Sequence, residues 1–211
     1  MASLSKIDEK RRRLLLNLLA SAAFTATGGC SISSTGLTSK LPAGRSIHAL
    51  TGDVRVNGIP ASVLTLINPG DMIETFDQSY VVFVVQKDAF ILRSNSIMTL
   101  PDTTAAPGIT SNAFTLEQGK ALSVLASRRT NISTPSAVIG VRGTGDCIEA
   151  EPDLSYVCVC CGTSDVTTRD NPDIAETIVS DHHMSPRYIL ANKSASQRII
   201  PAPLRLSLIH I

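Results

Sequence analysis

The residues best equipped for chemistry lie in the last third of the chain. Cys158, Cys160 and Cys161 fall in the run Tyr156-Val157-Cys158-Val159-Cys160-Cys161-Gly162; Cys147 precedes it, and His182-His183 follow Asp181. Thiolates and imidazoles are the ligands that zinc, copper and iron prefer. On an extended strand Tyr156, Cys158 and Cys160 share one face, while Val157, Val159 and Cys161 share the other. Cys158 and Cys160 then point the same way, a poor geometry for a mutual disulfide but a workable metal pincer. Three readings stay open. One is a metal, haem or redox site built from Cys158, Cys160, His182 and His183, holding zinc, iron or haem. Another is a disulfide from Cys147 to Cys158 or Cys160, as an oxidising compartment permits. The third is a set of buried thiols acting as small hydrophobes.

These residues need elements to hold them. Glu151-Pro152-Asp153 makes a short connection, so the strand begun by Cys147 becomes an antiparallel neighbour of the Tyr156 strand. Beyond it, Asn171 offers a helix cap, Pro172 suits a first turn, and Ile174 and Ile178 lie one turn apart. The expectation is a short helix near residues 172–182, whose C-terminus would favour charged imidazoles.

Upstream, the pattern is one of many short strands. Val54 and Val56, then Leu64 and Leu66, alternate with polar residues. Tyr80-Val81-Val82-Phe83-Val84-Val85 is a continuous β-branched run of the kind buried on both faces. Phe90–Leu92, Ile97–Leu100, Phe114–Leu116 and Ala121–Leu125 follow as further strands. Gly52-Asp53, Asn57-Gly58, Asn68-Pro69-Gly70-Asp71, Lys87-Asp88 and Gln118-Gly119 read as the turns between them. The expected fold class is all-β: a β-sandwich, a β-roll or a short β-helix.

The first thirty residues differ in kind. Lys10-Arg11-Arg12-Arg13 stands directly before Leu14-Leu15-Leu16-Asn17-Leu18-Leu19 and a small-residue stretch, a charged segment followed by a short apolar one. The apolar run is too short to span a bilayer. Residues 1–29 therefore read as a signal peptide carrying a signal helix, and the paired arginines resemble a twin-arginine export signal. Thr27-Gly28-Gly29-Cys30 resembles a lipobox, with Cys30 as the lipidation position and a lipid anchor as the only membrane contact. Residues 30–44, rich in Ser, Thr and Gly, form a linker. The implied location is periplasmic, or membrane-anchored and extracytoplasmic.

Composition narrows the function. The chain has 211 residues, 43% of them hydrophobic, only 4% aromatic and none of them Trp, so Val, Ile, Leu and Ala must build the core. The formal charge of +1 comes from the N-terminal basic cluster, and the rest is slightly acidic. That excludes nucleic acid as the main partner, because phosphate binding needs a clustered basic footprint. There is no Gly-x-Ser-x-Gly elbow, no His-Glu-x-x-His and no phosphate loop. Asp71 and Glu74 read as solvated charges on a turn and a strand, and a Cys nucleophile with His183 as base would need a depressed thiol pKa. The expectation is a protein that is not an enzyme.

Four blocks then occur in order: Gly52-Asp53-Val54-Arg55-Val56-Asn57-Gly58; Leu66-Ile67-Asn68-Pro69-Gly70-Asp71-Met72-Ile73-Glu74-Thr75; Phe114-Thr115-Leu116-Glu117-Gln118-Gly119-Lys120-Ala121-Leu122; and Ile132-Ser133-Thr134-Pro135-Ser136-Ala137-Val138-Ile139-Gly140-Val141-Arg142-Gly143-Thr144. Together they resemble a FecR domain over residues 45–166. The Cys-rich strand with the Pro186–Ile189 segment also resembles the tail of stand-alone members, here residues 167–205. The resemblance implies a non-catalytic module for binding or signalling at the bacterial envelope, with a protein partner there and a link to iron-responsive regulation. The family's best-known layout adds a cytoplasmic part that engages a sigma factor. Here the few residues before the apolar segment are expected to be too short for one. Within the fourth block, Arg142 between two glycines is expected to pair with a carboxylate or loop carbonyls and fix a corner. Residues 206–211 match the translation of a common sequencing adapter and are set aside, the native chain being expected to continue past Arg205.

Overall fold

The computed structural model describes residues 44–102, 113–125, 130–142, 145–181 and 183–205. The signal segment, nearly all of the linker with Cys30, His182 and residues 206–211 lie outside that set. Every element among the described residues is a strand: β1 (Ile47–Thr51), β2 (Val54–Val56), β3 (Ile59–Pro60), β4 (Met72–Thr75), β5 (Tyr80–Val85), β6 (Asp88–Leu92), β7 (Ser96–Thr99), β8 (Ala113–Val124), β9 (Thr130–Ser133), β10 (Ala137–Val141), β11 (Gly145–Ala150), β12 (Leu154–Thr168), β13 (Ala175–Ser180), β14 (Arg187–Leu190) and β15 (Ile199–Pro201).

These strands hydrogen-bond into one continuous sheet that doubles over into two layers. The first runs β1-β5-β6-β8-β11-β12-β14-β15. The second runs β3-β2-β4-β7-β8-β9-β10-β12-β13. β8 and β12 belong to both layers, and each turns its corner at a glycine. Gly119 has φ +90° where β8 leaves β7 for β11, and Gly162 has φ +115° where β12 passes from β11 to β13. Only glycine takes such a backbone cheaply. The Gln118-Gly119 pair, expected as a turn between strands, is thus a bend inside one long strand.

The core fills the space between the layers. Phe83, Phe90, Leu92, Ile148, Val157 and Val159 from the first layer meet Ile73, Met98, Leu116, Ile132, Ile139 and Val166 from the second in a single cluster. The β5 run is buried on both faces as its composition predicts. Val81, Phe83 and Val85 face this core, while Val82 joins Ile91 and Val124 in a smaller cluster on the other face.

The motif residues serve as joints. Asn57 and Gly58 both have positive φ, and the Asn57 side chain donates to Asp71 Oδ1 at 2.8 Å while accepting from the Met72 amide at 2.9 Å. Asp71 also accepts from the Asn68 amide at 2.7 Å, so its carboxylate is a turn clamp. The Thr134-Pro135-Ser136 turn is pinned from inside. Ser155 Oγ donates to Thr134 Oγ1 at 2.7 Å, and Ser136 Oγ donates to the Ile189 carbonyl at 2.9 Å. Arg142 pairs with Asp165 of β12, the corner contact anticipated for it.

Two further expectations are corrected. Leu64 and Leu66 sit in the loop between β3 and β4 and are 66% and 51% exposed, because no strand lies alongside to pair with that segment. The helix expected near 172–182 does not form. Asn171 instead makes a turn, its side chain accepting from the Asp173 amide, and residues 175–180 become β13. Past Gly162, β12 offers an edge, and Thr177, Ile178 and Val179 satisfy their backbone groups by pairing with it. The one-turn spacing of Ile174 and Ile178 was outcompeted by that long-range edge.

Candidate functional site

Cys147, Cys158 and Cys160 stand on the outer face of the first layer. Register places Val82, Ile91, Leu122, Cys147 and Cys158 in one cross-strand row over β5, β6, β8, β11 and β12. One pleat along, Lys120, Glu149, Tyr156 and Tyr188 make a parallel row over β8, β11, β12 and β14. Cys147, Tyr156 and Cys158 are buried together, with Cys160 and Tyr188 packed against them.

A bulge decides which thiols meet. The β11–β12 register shifts between Gly145 and Asp146, so Gly145 faces Cys161 but Asp146 faces Val159, and Cys160 is the extra residue. Cys147, although directly opposite Cys158, has its sulfur 3.5 Å from Cys160 Sγ. No disulfide links the four described cysteines. The turn after β13 then folds His183 back onto the same face. Its amide donates to the Cys160 carbonyl at 3.2 Å, the Met184 amide donates to Ser180 Oγ at 2.8 Å, and His183 takes φ +53°. Its Nδ1 lies 3.6 Å from Cys158 Sγ. One donor atom each from Cys147, Cys160 and His183 lie within 4.8 Å of one another.

Of the residues the sequence nominates, Cys158, Cys160 and His183 do converge, and His182 is outside the described residues. Cys147 joins the cluster as a donor that strand periodicity could not assign; the hairpin through Glu151–Asp153 was its signal, but the bulge was not. Cys161 is exposed and lies outside the three-donor group. The expected effect of a helix terminus on the imidazole falls away with the helix. Burial and the neighbouring Cys160 push the Cys158 thiol up to about 11. Contact with Cys147 and burial push the Cys160 thiol up as well. Both shifts oppose the depressed pKa that a nucleophilic thiol requires.

The C-terminal segment straps the second row. Arg205 lays its guanidinium over the Tyr156 and Tyr188 rings, at 5.5 and 5.2 Å from their centroids. Its Nη1 donates to Glu149 Oε2 at 2.6 Å, and its amide donates to the Tyr156 hydroxyl at 3.1 Å. Glu149 is 1% exposed, and its other oxygen has Lys120 Nζ at 3.5 Å. Replacing Arg205 by Ala leaves this carboxylate with a single, longer partner. The expected loss is about 2–3 kcal/mol, below the full cost of orphaning a buried charge because the guanidinium is partly exposed. Urea unfolding measures it, and Glu149→Gln in the Arg205→Ala background should recover part of the loss.

No family model matches the chain, and no curated protein matches it. Among solved structures it is similar to two crystal structures of a candidate anti-sigma factor from Parabacteroides distasonis. Each is 14% identical, with a TM-score of 0.47 over 62% of this chain and 58% of that one. The chain thus spans less than two thirds of the structures it matches.

Proposed function

We propose that this chain is a non-catalytic, extracytoplasmic module of the FecR type that binds a protein partner at the bacterial envelope and passes on a signal. The observation that carries the reading is the work done by the ordered motif residues. Asn57-Gly58, Asn68–Asp71, Thr134–Ser136 and Arg142 each fix a joint of the two-layer fold, so the shared pattern specifies a scaffold. The scaffold leaves apolar side chains outside its core around the β2–β3 edge. Ile59 is 69% exposed, with Leu64 and Leu66 beside it in sequence, the composition of a protein-binding surface. A link to iron-responsive regulation is part of the proposal and rests on the family resemblance alone.

Location is the first test. Residues 1–44 fused to a reporter active only outside the cytoplasm should give signal, and Arg12→Lys with Arg13→Lys should abolish it. A full-length chain recovered only from the cytoplasm overturns the reading. Partner binding is tested by cross-linking from position 64 in intact cells: a discrete envelope adduct is expected, lost when Ile59 and Leu66 are changed to Lys.

A further inference from the structure

We propose that Cys147, Cys160 and His183, with Cys158 as the fourth donor, form a closed tetrahedral site for one borderline-soft divalent cation of the zinc class. Bonds of zinc to sulfur and imidazole nitrogen imply donor–donor edges of roughly 3.3–3.8 Å in a tetrahedron. The Cys147–Cys160 sulfurs are 3.5 Å apart, and Cys158 Sγ is 3.6 Å from His183 Nδ1. Two opposite edges of the tetrahedron are therefore already near their bound length. One donor atom each from Cys147, Cys160 and His183 lie within 4.8 Å of one another, and Cys158 joins them through its contact with His183.

The backbone has been bent to make this cluster. The bulge in β12 delivers Cys160 toward Cys147, and the left-handed conformation of His183, uncommon for a non-glycine residue, turns its imidazole onto the thiols. A purely apolar role for the thiols gives no reason for an imidazole at that point. The donor mix selects the ion: sulfur and imidazole suit zinc, whereas calcium and magnesium take oxygen ligands. On binding, each ligating thiol yields its proton to solvent and no electrons move. The bound ion would tie β11, β12 and the turn after β13 together on the face that the C-terminal segment straps.

Cobalt(II) replaces zinc in such sites and reports coordination by its colour. The full-length chain, reduced and stripped with a chelator, is titrated with cobalt(II) alone. One equivalent should produce a thiolate-to-metal charge-transfer band with intense tetrahedral ligand-field bands, and zinc should bleach both. Cys160→Ser and His183→Asn should weaken cobalt binding at least about a hundredfold. Asn tolerates the positive φ at 183, so that variant keeps its fold even if a change at buried Cys147 does not. Cys161→Ser, at an exposed thiol outside the donor group, should leave the spectrum unchanged. Absence of a thiolate–cobalt band in the reduced wild-type chain, or a band undiminished in both Cys160→Ser and His183→Asn, overturns the proposal. A Cys147–Cys160 disulfide in protein from the periplasm, re-forming in preference to cobalt binding after reduction, overturns it too.

Discussion

Gly119→Ala is expected to destabilise the protein by about 2–5 kcal/mol. A Cβ there would lie 2.5 Å from Ser96 Cα and 2.6 Å from the Asn95 carbonyl oxygen. Both obstacles are backbone, and a side-chain rotation relieves neither. The residue also sits at φ +90°, where L side chains are strained. Ser96 cannot retreat, because it is fully buried and its Oγ accepts from the Lys120 amide at 2.9 Å across the same corner. The strand would have to open where β8 passes between layers, loosening both its β7 and β11 pairings. Urea unfolding of wild type and variant gives the difference. Gly58→Ala supplies a comparison that separates strain from crowding. It also has positive φ, but nothing lies within 4 Å of the added atom, so it should cost only about 1 kcal/mol. Equal losses at the two positions would show that the close approach at the corner does not matter.

Asp146→Asn is expected to raise stability by about 1–3 kcal/mol at pH 8 and to change it little at pH 4. Asp146 is wholly buried on the inner side of β11. Ser164 Oγ donates to its Oδ1 at 2.9 Å, and its Oδ2 has no hydrogen-bond partner among the described residues. Burial pushes its pKa up to about 7, against about 4 in an unfolded chain. The sign follows from proton binding. Below about pH 4 both states hold the proton and the group is neutral to stability. Between about 4 and about 7 the unfolded chain releases it while the folded one keeps it, so stability falls as pH rises. Above about 7 the full cost is present. Asn keeps the shape without the charge and removes that slope. Unfolding from pH 4 to pH 8, with a chelator present so that coordination at the adjacent thiols does not contribute, checks the result. A wild type that gains stability from this group as pH rises would mean that a cation faces the carboxylate.

Arg205 shows a different dependence on sequence distance. Its partners Glu149, Tyr156 and Tyr188 come from three strands, and no local pattern connects them. Arg142 was easier to read, because two flanking glycines mark a corner and a corner needs an anchor.

Much of the fold was legible because local rules decided it. Asn57-Gly58 can hardly do other than turn, and the uninterrupted run of valines and aromatics from Tyr80 to Val85 can satisfy both its faces only inside a layered all-β fold. The sharing of one face by Tyr156, Cys158 and Cys160 followed from the two-residue period of a strand. The same period could not assign Cys147 its partner, because contacts between strands depend on register and one bulged residue reassigns them. Residues 175–180 carry a helical spacing and a strand composition at once, and the edge of β12 beyond Gly162 broke the tie. The amino-acid sequence by itself determined the strand class, the turns and which thiols face the same way. Tertiary structure alone decided which thiols touch, what brings His183 to them and where β8 turns its corner. Periodicity is a property of neighbouring residues, whereas contact is set by pairing between distant ones.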